Sequence, residues 1–108
     1  MTGSLGSALD ILIADVVAKS RSDPSSSYTA KLLAAGPVYC AKKLGEEGVE
    51  LALAVAGGDA SEVANEAADL LYHVAVALQA VGVSGEDVAA VLAQRRGASG
   101  LDEKASRG

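Results

Sequence analysis

Acidic residues crowd the middle of this 108-residue chain. Seven of its fourteen acids, Glu46, Glu47, Glu50, Asp59, Glu62, Glu66 and Asp69, lie between positions 46 and 69, and no Lys or Arg interrupts them. On a helix, Glu47 and Glu50 stand three apart, Glu46 and Glu50 four apart, and Glu66 and Asp69 three apart, so each set projects from one face. Gly57-Gly58, between the two sets, folds the pattern into an antiparallel hairpin. Counting outward from that turn, Glu46 comes level with Asp69, and Glu50 with Asn65, beside Glu66. Glu46 and Glu50 share a stripe with Tyr39 and Leu53, and Glu66 and Asp69 share one with Val76 and Ala80. The acids therefore sit at the edge of a packed face. Carboxylates gathered there take up protons or force the helices apart unless a cation neutralises them. All-oxygen ligation without thiolates selects a hard ion, Mg2+ first and Mn2+ second. Such an ion grips polyphosphate oxygens and makes a bound water more acidic, which points to hydrolysis of a phosphoanhydride.

Other polar residues have plainer explanations. Asp59 with Glu62 three residues on reads as a capping-box-like helix start. His73, one turn beyond Asp69 among Leu, Tyr and Val, reads as a core histidine or a support for the acids. Cys40 reads as a small core residue, and Tyr39 and Tyr72 as packing residues within reach of a ligand. Gly48, inside the acidic helix, costs about 1 kcal/mol relative to Ala, for which close helix approach is the expected reason.

Five helices must position these groups, over about 5–20, 28–35, 37–56, 59–81 and 84–96. Ser27, Asp59 and Ser84 supply N-caps, Gly36-Pro37 ends one helix and opens the next, and Gly57-Gly58 and Gly82 stop two others. Ala and Val dominate an apolar half of the chain that contains no Trp or Phe and three Tyr, which favours close helix packing. The expected fold is all-α: an antiparallel bundle of about five helices, with a domain over 1–96 and a polar tail over 97–108. The segment 70–81 is apolar on nearly every side, so a second subunit is expected to cover part of it, most simply in a homodimer.

A net charge of −5 argues against nucleic-acid binding, which needs a clustered basic face. The longest strongly apolar stretch, 70–83, is interrupted by His73 and Gln79 and is short of the ~20 residues a membrane span requires. One cysteine cannot form an internal disulfide, and the first ten residues lack a secretory signal pattern, so a cytoplasmic protein is expected.

The Glu46-Glu47-x-x-Glu50 and Glu66-x-x-Asp69 pair resembles the metal motif of the all-α, MazG-like nucleotide pyrophosphohydrolases. Four blocks in order, SYTAKLL at 27–33, AKKLGEEGVELALA at 41–54, NEAADLLYH at 65–73 and SGLDEKASR at 99–107, together resemble the phosphoribosyl-ATP pyrophosphohydrolases. That resemblance implies hydrolysis of phosphoribosyl-ATP to phosphoribosyl-AMP and pyrophosphate, the second step of histidine biosynthesis, by a Mg2+-dependent helical homodimer. It carries metal ligation onto Glu47, Glu50, Glu66 and Asp69, with Glu46 as an additional or second-metal ligand. A carboxylate not fully occupied by metal, Glu46 or Glu47, is the candidate to orient or deprotonate the attacking water. Candidate phosphate contacts are Lys31, Lys42, Lys43, Lys104 and Arg107. Gly48 departs from the Ala common at this position in the family.

Three rivals define the tests. A di-iron bundle would want Glu-x-x-His on two helices, which the lone His73 does not supply. A helical dimerisation module would use its acids only for solubility. A house-cleaning enzyme of the same fold would take ordinary or damaged nucleoside triphosphates.

Overall fold

A computed structural model describes residues 3–97, and over them the chain is helical with short connections. Its helices are α1 (Leu5–Lys19), α2 (Tyr28–Ala35), α3 (Pro37–Gly57), α4 (Ala60–Ala80) and α5 (Gly85–Gln94). The all-α class and the five elements match the expectation, with ends within about two residues of those read from the sequence. The expected tail, including Lys104 and Arg107, lies outside the described residues.

Each boundary has a local cause. The Ser27 side chain accepts from the Ala30 N–H to open α2. Gly36, at φ +97°, turns the chain, and Pro37 then begins α3 with its φ already set for a helix. At the other end of α3, Gly58 takes the left-handed conformation at φ +78° and returns its N–H to the Ala54 and Val55 carbonyls. Asp59 follows at once and caps α4 by accepting from the Ser61 and Glu62 N–H groups. Ser84 and Asp87 form a complete reciprocal capping box at α5.

The α3–α4 hairpin is the most extensive helix pairing, and α1 and α2 pack mainly against it. The core lies at the end of this assembly away from the Gly57-Gly58 turn. Val16, Leu32, Cys40, Ala75 and Val76 are buried there, with Leu12, Ile13, Leu33, Tyr72 and Ala80 packed around them. Removing a side chain such as Leu32 from water stabilises the fold by about 1.5–3 kcal/mol. Cys40 donates its S–H to the Leu32 carbonyl, the small-core role expected of it.

Between residues 70 and 80 no side chain is fully exposed, because the chain's own helices cover much of this segment. Val81, at the end of the expected segment, is exposed, and further uncovered apolar surface lies on α1 at Leu5 and Ile11, on α3 at Val38, Val49, Leu53 and Val55, and on α5 at Leu92. Among the described residues no single helix is long and apolar enough to cross a membrane.

Candidate metal centre

Two backbone devices place the acids. The left-handed Gly58 reverses the chain and the Asp59 cap restarts the helix immediately, so α3 and α4 run antiparallel from a common end. Glu47 thereby stands among Glu50 of its own helix and Glu66 and Asp69 of the facing one. Glu66 in turn feels Glu50, Asp69 and Glu62. The structure brings together Glu47, Glu50, Glu66 and Asp69; counting from the turn puts Glu46, not Glu47, level with Asp69, and Glu47 stands in the set that the resemblance implies. Glu47 and Glu66 are half-buried, while Glu50 and Asp69 reach solvent.

The electrostatics of this group are unfavourable as they stand. A hydrogen bond that the protonated Glu47 carboxyl donates to Glu50 is the main reason Glu47 is pushed from its ordinary 4.5 to about 7. Partial burial and the charges of Glu50, Asp69 and Glu66 add to the shift. One carboxyl must hold a proton to lie against the next. Partial burial, then the charges of Glu50, Asp69 and Glu62, also raise Glu66. Glu66 Oε2 is buried and has no hydrogen-bond partner, an arrangement that ordinarily costs stability. Among the described residues no three acidic, histidine or cysteine groups already converge as a finished cage. The Glu47 proton offsets part of the negative charge that the four acids would otherwise carry. An orphaned buried carboxylate oxygen beside a protonated carboxyl in an all-oxygen group fits a hard divalent cation.

The remaining candidates divide. Glu46 pairs with Lys43 at 3.4 Å on the same helix and is not among the charges acting on Glu47 or Glu66. Lys43 is half-buried beside the site, and Lys42 lies over the Tyr39 ring at 6.0 Å. Lys31 is exposed on α2. His73 is buried edge-on against Tyr72, and burial together with Lys43 holds it neutral near pH 7. This burial matches the core reading of His73. The Tyr72 hydroxyl shares a 2.5 Å hydrogen bond with Thr29.

Two expectations change. The sequence pairs Glu62 with Asp59 as a capping box, but in the structure Asp59 alone supplies the capping oxygen. Glu62 instead lines a cavity of about 330 Å3 with Glu50, Asp59 and Glu66. The signal for it was its spacing of four from Glu66, which stacks their side chains. Gly48 is not required by close helix approach, because a Cβ there would meet Leu70 Cδ1 at 4.0 Å, an ordinary contact.

A family model described as phosphoribosyl-ATP pyrophosphohydrolase matches residues 12–96, which hold the core and every described acid of the site. The chain belongs to the phosphoribosyl-ATP pyrophosphohydrolase family. A phosphoribosyl-ATP pyrophosphatase of Cereibacter sphaeroides is 52% identical over 100 residues, covering 93% of this chain and 97% of the relative. One from Parvibaculum lavamentivorans is 51% identical over 102 residues, covering 94% of each. One from Methylobacterium radiotolerans is 52% identical over 96 residues, covering 89% of this chain and 90% of the relative. Membership of the pyrophosphohydrolase family makes this chain a hydrolase and bears out the resemblance read from its four blocks.

Proposed function

We propose that the chain hydrolyses phosphoribosyl-ATP to phosphoribosyl-AMP and pyrophosphate, the second step of histidine biosynthesis, at the acids of the α3–α4 hairpin. The observation that carries this reading is the meeting of Glu47, Glu50, Glu66 and Asp69 around an unpartnered Glu66 oxygen in a chain of this family. Those four residues would hold a divalent cation, Mg2+ before Mn2+. When bound, the ion supplies charge neutralisation at the polyphosphate oxygens and acidifies water.

The chain's own groups do the rest. Glu47 gives up its proton on loading and becomes a full carboxylate. A carboxylate not fully occupied by the ion, Glu46 or Glu47, would orient the attacking water and accept its proton, Glu46 by leaving its pairing with Lys43. As the water oxygen bonds to phosphorus, the bridging P–O bond on that phosphorus breaks and pyrophosphate and phosphoribosyl-AMP separate. Lys43, the half-buried cation beside the acids, is the first candidate to contact phosphate, with Lys31, Lys42, Lys104 and Arg107 as further contacts.

The exposed Val38, Val49, Leu53 and Val55 on α3 support a homodimer that covers them, working in the cytoplasm on this soluble nucleotide without nucleic-acid or membrane partners. Sedimentation at micromolar concentration tests the assembly, and a monomer would refute it. The activity is tested by pyrophosphate release from phosphoribosyl-ATP and from ordinary triphosphates, with Mg2+ and with chelator. Release from phosphoribosyl-ATP alone, abolished by chelator and by Glu50→Gln, is expected. Turnover of ordinary triphosphates but not phosphoribosyl-ATP would overturn the substrate.

A further inference from the structure

A second cavity, of about 450 Å3, opens where α1 ends, α2 begins and α4 passes behind them. Lys19 comes from α1, Ser22, Ser26 and Ser27 from the connection, Tyr28 and Thr29 from α2, and Tyr72 from α4. Every lining residue carries a hydroxyl or an ammonium and none carries a carboxylate, in a chain whose net charge is −5. The acid of that connection, Asp23, is turned into its own loop, where it accepts from the N–H and hydroxyl of Ser25 at 2.9 Å each. Hydrogen bonding to Ser25 holds the Asp23 carboxyl below its ordinary range, so it stays ionised without entering the cavity. Lys19 has no ion-pair partner among the described residues. Its position in the last turn of α1 also suits the helix dipole, but that role leaves its donors available.

The cavity is tied to the acidic site through two aromatic residues. Tyr72 lies three residues beyond Asp69 on α4, about 4.5 Å further along the axis. Its ring stacks with Tyr28 at 6.4 Å between centroids and 16° between planes. Tyr28 in turn lies within electrostatic reach of Lys43, the partner of Glu46. The Thr29–Tyr72 hydrogen bond fixes the shared wall, while Tyr28 leaves more than half of its surface open, at 56%.

The proposed substrate is anionic at both ends, with a triphosphate on one side of the adenine and a ribosyl phosphate monoester on the other. The acids can accept the first only through a cation. The second needs donors that work without one, and an ammonium beside several hydroxyls suits a phosphate dianion. Resting on the proposed reaction, we infer that the cleft between α1 and α2 is the subsite for the substrate's 5-phosphoribosyl group. Lys19 and the Ser22 hydroxyl bind its phosphate, while the Ser26 hydroxyl donates to the Asp23 carbonyl, and Tyr28 and Tyr72 form the wall along which the nucleotide runs to the acids. The cleft is thus what separates phosphoribosyl-ATP from ATP.

Lys19 is exposed and makes no core contact, so Lys19→Ala should fold normally. With phosphoribosyl-ATP and saturating Mg2+, its KM should rise roughly tenfold while kcat changes by less than about threefold, as loss of uniform binding requires. Lys19→Arg should recover most of the loss. Ribose 5-phosphate should inhibit the parent competitively and Lys19→Ala hardly at all, whereas inhibition by ATP, which lacks the group, should be equal in both. An unchanged KM in Lys19→Ala, with ribose 5-phosphate inhibition intact, overturns the subsite and leaves the reaction standing. Calorimetric titration of ribose 5-phosphate into the metal-free protein reads the cleft apart from turnover. If the parent does not turn over phosphoribosyl-ATP but binds ribose 5-phosphate through Lys19, the reaction falls and the sugar-phosphate site survives. If ribose 5-phosphate does not bind, the inference fails.

Discussion

The two halves of α4 do opposite work. Its second half contributes buried His73, Ala75 and Val76 to a core shared with α1, α2 and α3. Its first half carries Glu62, Glu66 and Asp69 toward the acids of α3, where one carboxyl holds a proton near neutrality and another oxygen is buried without a partner. One end of the helix supplies stability and the other consumes it, so the acidic end is not explained by folding alone. A cation removes the conflict, which is why the acids are read as a binding site and not as a solvated face.

The sharpest way to break that contrast is to neutralise one acid. Glu66→Gln or Glu50→Gln should cost more than about 100-fold in turnover, above the loss usual for residues that only support metal ligands. The variants should remain folded by circular dichroism, and retention of activity would erase the difference between the halves. Truncation at the core end should do the reverse. Leu32→Ala should lower unfolding free energy in urea by about 2–5 kcal/mol while the cold, folded variant still binds Mn2+.

A smaller effect is carried by pH. Because the Glu47 carboxyl is raised from its ordinary 4.5 to about 7 in the folded chain, its contribution favours folding most fully below 4.5 and is lost as pH rises through about 7. The thermal midpoint of the metal-free protein should therefore contain a component that falls over this window. Saturating Mg2+ should flatten it, since the ion replaces the proton. Glu47→Gln should remove that component, and an unchanged pH profile in this variant would show that another group is responsible. The smallest effect is expected at Gly48, where the structure leaves room for a methyl group. Gly48→Ala should stabilise the fold by about 0.5–1 kcal/mol in the same urea measurement.

The hairpin was legible because its signals are local. Gly57-Gly58, the Asp59 cap and helical spacing suffice to bring Glu50, Glu66 and Asp69 to one end of the hairpin, whereas Glu47 in place of Glu46 came from the resemblance. The Ser27 and Ser84 caps and the Gly36-Pro37 step likewise mark helix ends through hydrogen bonds spanning a few residues. Glu46 was less legible, because neighbours on a helix point about 100° apart and its choice of Lys43 over the site depends on side-chain rotation. Glu62 was hidden by a capping pattern that another residue fulfils. The cleft at Lys19 had no sequence signature, since its lining comes from α1, a loop, α2 and α4, which meet only after the core has formed. The amphipathic pattern of α5 likewise gave no warning that none of its residues would be buried in this chain.

The central claim, that the acids of the hairpin are a cation site, is tested most directly by Mn2+ binding followed by electron paramagnetic resonance. The wild-type protein should take up Mn2+ with loss of the free-ion signal, and Mg2+ should compete. Glu66→Gln should leave most of the ion free at the same concentrations. Equally tight binding by Glu66→Gln, or no binding by the wild type, would contradict the account.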